Sequence, residues 1–320
     1  MRNIYLMNAG SPLIEQAVEE LENNSNIVVI NPYNGNKFYD LLKKIMIRIL
    51  PRMCFKIFHI KELKKKGFND LDDELIIFFD TPYWFRTLPF LRDTIKNSDI
   101  KLWFWNPVKD KKYLSQISTS SFNVATFDYS DSIKYNWDYH PQFYWRSIEK
   151  ENTPTTPIND VFYIGREKNE ESYSRIEILS DCLSKLDNDS LSVKAMIVNS
   201  SVSQIKSTKH RNVINKKSNI SYDEVINNLL FTKSILEVNA PGQSGLTLRA
   251  LEALFFRKKL ITNNKEIVKY DFYDQENIYI LGFDTRCLKS FVESEYKDVP
   301  GSIKEKYSFE HWLKFMSSQK

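Results

Sequence analysis

The sequence predicts an α/β protein built from two doubly wound parallel-sheet domains in tandem. Short apolar runs alternate along the chain with segments of helical period, the pattern of parallel strands joined by crossover helices. The alternation breaks once, at "SIEKENTPTTPIND" (147–160), where prolines among polar residues read as a linker. The length of 320 residues suits two domains of ordinary size. The expected division is 1–150, then 151–305, then a C-terminal helix over 306–320 that returns to the N-terminal domain.

Each element has its own warrant. "NIYLMNAG" is a buried strand running into a loop, and a helical pattern follows through Leu21. "NIVVINPYN" repeats the strand-then-loop signal, and "KFYDLLKKIMIRIL" is helical. "ELIIFFDTPYW" is a strongly apolar strand ending at Asp80. "RTLPFLRDTIKN" reads as helix, and "IKLWFWNP" and "SFNVATFDYSD" as strands. Beyond the linker, "DVFYIGR", "SVKAMIVNS", "SILEVN", "KLITNN" and "NIYIL" are strands. "ESYSRIEILSDCLSKL", "YDEVINNLLFTK" and "LTLRALEALFFRK" are the helices between them. "SFEHWLKFM" is a last helix, with Ser308 as N-cap and Glu310 in its first turn.

Composition narrows the function. A net charge of +4, from 45 basic and 41 acidic residues, is too balanced to imply nucleic-acid binding. Cys54, Cys182 and Cys287 form no CxxC pair, so neither a disulfide framework nor a zinc site is expected, and a reducing cytoplasm fits. The start "MRNIYLMNAGSP" lacks a signal peptide's apolar core, and no window is long and apolar enough to span a membrane. "DLDDE" (70–74) and "DND" (187–189) imitate an Asp-x-Asp metal motif but read as polar turns, so no metal is expected. P-loop, dinucleotide-fingerprint and nucleophile-elbow patterns are absent.

The segment "EVNAPGQSGLTLRALEALFFRKKLITNN" (237–264) carries most of the chemistry. Gly242 and Gly245 let backbone N–H groups approach a ligand. A helix starting near Leu246 would offer unpaired donors and a positive dipole end to a phosphate. Gln243, Ser244 and Thr247 add side-chain hydrogen bonds. Glu252 falls on a mostly apolar face with Arg249 at i−3, so it needs a partner: Arg249, a backbone donor or a ligand hydroxyl. An internal Arg–Glu pair beneath a glycine-rich turn accounts for the same residues.

"S-G-L-T-L-R-A-L-E-A" (244–253) resembles the donor-binding segment of GT-B glycosyltransferases, and its "TLRALEAL" form is similar to those of bacterial lipopolysaccharide and capsule biosynthesis. The resemblance implies two Rossmann-like domains facing across a cleft, a nucleotide-sugar held mainly by the second, and no cofactor beyond that substrate. It implies that Glu252 hydrogen-bonds the donor ribose. Many of the family carry a second glutamate eight residues earlier; here Ser244 stands there, which weakens assignment to the retaining group. In "YIGREKNEESYSR", Gly165, Arg166 and Lys168 match the basic groups that neutralise the donor diphosphate, with Arg175 a further candidate. Tyr222 would approach the base.

In the first domain Asp80, at a strand end, is the candidate general base for an inverting reaction. A turn or N-cap aspartate is the plainer reading of the same residue. Asn8, Gly10, Ser11, Thr81, Tyr83 and Asn106 are acceptor-side candidates, and Asp128 and His140 further liners. Residues 43–66, "KKIMIRILPRMCFKIFHIKELKKK", interleave basic and apolar side chains and would suit an anionic membrane surface, or two helices with lysine-rich outer faces. The expected function is transfer of a sugar from a nucleotide-sugar to a growing surface polysaccharide or lipid-linked oligosaccharide, at the inner face of the plasma membrane. A nucleotide-sugar 2-epimerase and a non-catalytic sugar-binding partner subunit are the alternatives.

Overall fold

The computed structural model describes residues 2–8, 10–21, 24–33, 35–68, 74–108, 114–117, 122–146, 156–166, 175–198, 213–216, 220–239 and 245–318. The chain divides into two compact units, residues 1–141 with 309–320, and residues 142–308.

The first unit holds a six-stranded parallel sheet: β1 (Ile4–Met7), β2 (Ile27–Ile30), β3 (Leu75–Phe79), β4 (Asp99–Phe104), β5 (Asn123–Thr126) and β6 (Asp138–Tyr139). Their order is β2-β1-β3-β4-β5-β6. Every residue of β3 is buried, as a central strand covered on both faces requires. The strand order reverses direction between β1 and β3, and open parallel sheets bind ligands at the carboxyl ends of strands beside such a switch. Helix α1 (Pro12–Glu19) starts on Ser11, whose hydroxyl accepts from Leu13 N. Helix α2 (Lys37–Ile49) starts on Asn36, whose side chain accepts from Phe38 N and Tyr39 N. Pro51, lacking an N–H, separates it from α3 (Pro51–Cys54), which passes through a π-helical stretch (Phe55–Ile60) into α4 (Lys61–Lys65). The short helices α5 (Pro82–Phe85), α6 (Leu88–Thr94), α7 (Leu114–Ile117) and α8 (Tyr129–Tyr135) complete the crossovers.

The second unit repeats the design with β7 (Asn159–Arg166), β8 (Val193–Val198), β9 (Val213–Lys216), β10 (Thr232–Glu237), β11 (Lys259–Thr262) and β12 (Ile278–Ile280). Their order, β12-β11-β10-β7-β8-β9, is the Rossmann order, with its switch between β7 and β10. Helices α9 (Arg175–Asn188), α10 (Tyr222–Leu230), α11 (Leu248–Phe255), α12 (Leu288–Glu293) and α13 (Gly301–Glu305) accompany it. Strand β9 escapes the sequence reading, because "VINK" is four residues long and set among polar neighbours. The last helix, α14 (Phe309–Ser318), belongs to the first unit. Its Trp312, fully buried, packs against Phe79 and Trp103 with ring centroids 5.7 and 5.6 Å away.

Candidate functional site

Because all strands of each sheet run parallel, the expected residues gather at strand carboxyl ends. In the second unit they flank the switch point. Gly165 and Arg166 close β7, and Glu237 closes β10. Gly165 has a packing reason of its own, since a Cβ there would meet the Tyr163 hydroxyl. Lys168, Gly242, Gln243 and Ser244 lie outside the described residues.

Helix α11 begins at Leu248, two residues later than the sequence suggests, and Thr247 is its N-cap. The Thr247 hydroxyl accepts from Arg249 N at 3.1 Å and Ala250 N at 3.4 Å. Those two donors are therefore already engaged, and an anion at this helix end would draw on Leu248 N and the preceding loop instead. The same hydroxyl donates to Glu237 Oε1, while Thr262 donates to Glu237 Oε2. Burial pushes the Glu237 carboxyl up, and the two hydroxyls pull it back. Glu237 carries no role in the sequence reading, although it ties the end of β10 to the start of α11 and to β11.

Glu252 is fully buried and both its oxygens are engaged. Tyr222 Oη donates to Oε1 at 2.8 Å, and Arg249 Nη1 lies 2.6 Å from Oε2. Burial raises its carboxyl to about 7, against the opposing pull of Arg249 and Tyr222. The internal Arg–Glu pair weighed from the sequence is therefore present. Direct contact with a ribose would require Tyr222 or Arg249 to yield its place. Tyr222 is likewise committed, its hydroxyl also 2.6 Å from that of the fully buried Tyr144. Trp145 tilts against its ring at 5.5 Å. Its polar end thus faces protein rather than a base. Tyr144 and Trp145 escape a sequence reading because 78 residues separate Tyr144 from Tyr222.

In the first unit Asp80 follows β3 and binds the end of β4. Its carboxylate accepts from Trp105 N at 2.9 Å, Asn106 N at 3.1 Å and Asn106 Nδ2 at 3.0 Å. Burial pushes its carboxyl up to about 7, with those donors opposing. It is a turn aspartate, and its pKa also lies where a general base works best. Thr81, not Asp80, caps α5, accepting from Trp84 N at 3.2 Å.

The other acceptor-side residues are mostly occupied in the fold. Asn8 is buried, donating to Ser11 O at 2.8 Å and Asn31 Oδ1 at 2.7 Å, and its own carbonyl accepts from Trp84 Nε1 at 2.6 Å. Gly10 takes a φ of 79°, which favours glycine. Tyr83 is buried in the first unit's core, its hydroxyl 2.6 Å from His59 Nε2 and 3.6 Å from Cys54 Sγ, so its polar end is engaged within the fold. Burial drives the His59 ring down to about 3, so it is neutral there. Asp128 caps α8, accepting from Asp131 N at 3.0 Å. His140 Nε2 lies 3.0 Å from His311 Nδ1 on α14, a structural pairing. Among the described residues no three His, Cys, Asp or Glu side chains gather as metal ligands do.

No protein-family model matches the chain, and no curated protein does. Solved structures match instead. The trehalose-6-phosphate synthase OtsA aligns with a TM-score of 0.58 and 9% identity over 100% of both chains. The UDP-forming α,α-trehalose-phosphate synthase of Burkholderia vietnamiensis aligns with a TM-score of 0.51 and 9% identity, over 99% of this chain and 96% of its own. TarM aligns with a TM-score of 0.53 and 16% identity over 81% of this chain, which spans only 57% of TarM. A mutant of S. aureus TarM in complex with Fondaparinux, alpha-GlcNAc-glycerol and UDP also matches, with a TM-score of 0.51. At these identities the likeness shows the fold, two parallel α/β sheets of the GT-B type, and nothing narrower.

Proposed function

We propose that the protein is a glycosyltransferase using a nucleotide-sugar donor and a glycan or lipid-linked glycan acceptor of bacterial surface-polysaccharide synthesis. One observation carries this reading. In a chain with the fold of UDP-forming transferases, the Rossmann switch point is flanked by Gly165–Arg166 on one strand and the Glu237–Thr247–α11 assembly on the next. Arg166, Lys168 and the Gly242–Gly245 loop bind the diphosphate. Glu252 sets the Arg249 guanidinium and the Tyr222 hydroxyl, one of which yields to the donor ribose. Asp80 serves the acceptor side. It takes the proton of the attacking hydroxyl as that oxygen bonds the anomeric carbon and the bond from that carbon to the diphosphate breaks. Main-chain donors and basic side chains stabilise the leaving diphosphate without a metal.

The test is thermal unfolding with uridine, guanosine, cytidine and thymidine diphosphates. One of them is expected to raise the melting temperature by roughly 5 °C at a hundredfold excess over its Kd. No shift with any of the four would remove the donor-site reading and favour a partner subunit. Turnover of the matching nucleotide-sugar without an acceptor, giving an epimer, would assign the epimerase instead.

A further inference from the structure

Large apolar side chains stand exposed on α2, on α3 and on the π-helical stretch after it. Phe38 is 67% exposed, Leu41 57%, Ile45 49%, Ile49 70%, Met53 50% and Ile57 47%. Within α2 the spacing of three and then four residues places Phe38, Leu41, Ile45 and Ile49 in one row down the helix surface, and Met53 and Ile57 are further exposed apolar positions beyond the break at Leu50 and Pro51. The row on α2 is about 16 Å long at 1.5 Å per residue. The opposite side, with Ile47, Cys54, Phe55 and Leu63, is buried in the first unit's core. The outward apolar row is therefore not a misplaced core face. Beside it runs a second exposed row, Lys44, Arg48, Arg52 and Lys56, each one residue before one of these apolar positions. Arg52 pairs with Asp93 at 3.7 Å, both side chains exposed, and such a pair is worth little. No acidic residue falls between Lys43 and Lys61.

We infer that this face docks on an anionic lipid bilayer, with the apolar row in the headgroup–acyl boundary and the basic row on the lipid phosphates. Exposed apolar patches of this extent mark interaction surfaces, and a basic flank gives complementarity to negative lipid headgroups. A second copy of the chain fits less well, because antiparallel two-fold pairing would bring the basic row against itself. No helix among the described residues is long and apolar enough to cross a membrane, so the contact is peripheral. None of the residues assigned to donor or acceptor takes part, so the inference stands or falls apart from the catalytic reading.

The experiment is flotation of the full chain with vesicles of phosphatidylcholine alone and of phosphatidylcholine mixed with phosphatidylglycerol. Binding to the anionic vesicles alone, weakened by added salt, is expected. The double variant Ile45→Glu/Ile49→Glu should abolish it. Arg48→Glu/Lys56→Glu should weaken it about 25-fold or more, at about fivefold per charge. All four side chains are exposed, so both variants should keep the parent melting temperature, which separates lost docking from lost fold. Equal partition onto neutral vesicles, or undiminished binding by either variant, would overturn the inference. So would a dimer in sedimentation that Ile49→Glu disperses, which would assign the face to a second copy.

Discussion

Glu252 shows how one buried carboxylate constrains everything near it. It engages Arg249 and Tyr222, and Tyr222 engages Tyr144, so three side chains owe their positions to it. Its native pKa, about 7, lies above the ordinary 4.5, so the folded state binds the extra proton between those values. The stability this contributes is fully present below pH 4.5 and is lost as pH rises through about 7. Glu252→Gln keeps the shape and cannot titrate. Its denaturation free energy is expected to lack that slope, so the gap between parent and variant should change by about 3 kcal/mol across the window. A parent and variant with parallel pH profiles in urea unfolding would show that Arg249 holds the carboxyl ionised throughout. Glu252→Ala is the harsher change, leaving the Arg249 charge without its carboxylate, and should cost about 3–5 kcal/mol.

At the scale of elements, helix α11 is set by Thr247. The hydroxyl caps two N–H groups and satisfies one oxygen of Glu237 at once. Thr247→Ala removes all three bonds, and a loss of about 2–3 kcal/mol is expected from the cap and the stranded carboxylate together. Thr247→Ser should restore most of it, and equal losses in the two variants would trace the effect to the methyl group instead. The strands and α11 itself are legible in the sequence because continuous apolar runs and a helical period survive any tertiary arrangement. The start of α11 is less legible. "SGLTL" offers both a glycine turn and a threonine cap, and only the cap bonds show that the helix waits for Leu248. The partners of buried polar groups are less legible again. Nothing near Tyr83 in the chain announces His59, and nothing near Glu237 announces Thr262. Such pairs are chosen by sheet order and by the rule that a buried polar atom finds a donor, not by local spacing.

For the whole molecule, the two units have separate cores, and the first is closed by a helix from the far end of the chain. The pattern of "SFEHWLKFM" reveals a helix with an apolar face. Only the structure supplies its partners, because Phe79, Trp103 and His140 are scattered over the first unit's strands and loops. Trp312 lies against two of those rings and is fully buried, so Trp312→Ala leaves a cavity and should cost about 3–5 kcal/mol. With two cores the loss should fall unevenly. Hydrogen exchange is expected to quicken in β3, β4 and α14 of the variant, while β10 and β11 keep the parent's protection. Phe309, stacked on Trp312 at 5.4 Å, cannot fill the void without leaving its own buried site. If protection fell equally in both sheets, the units would unfold as one cooperative body. Stability gained from a nucleotide bound in the second unit would then reach the first as well.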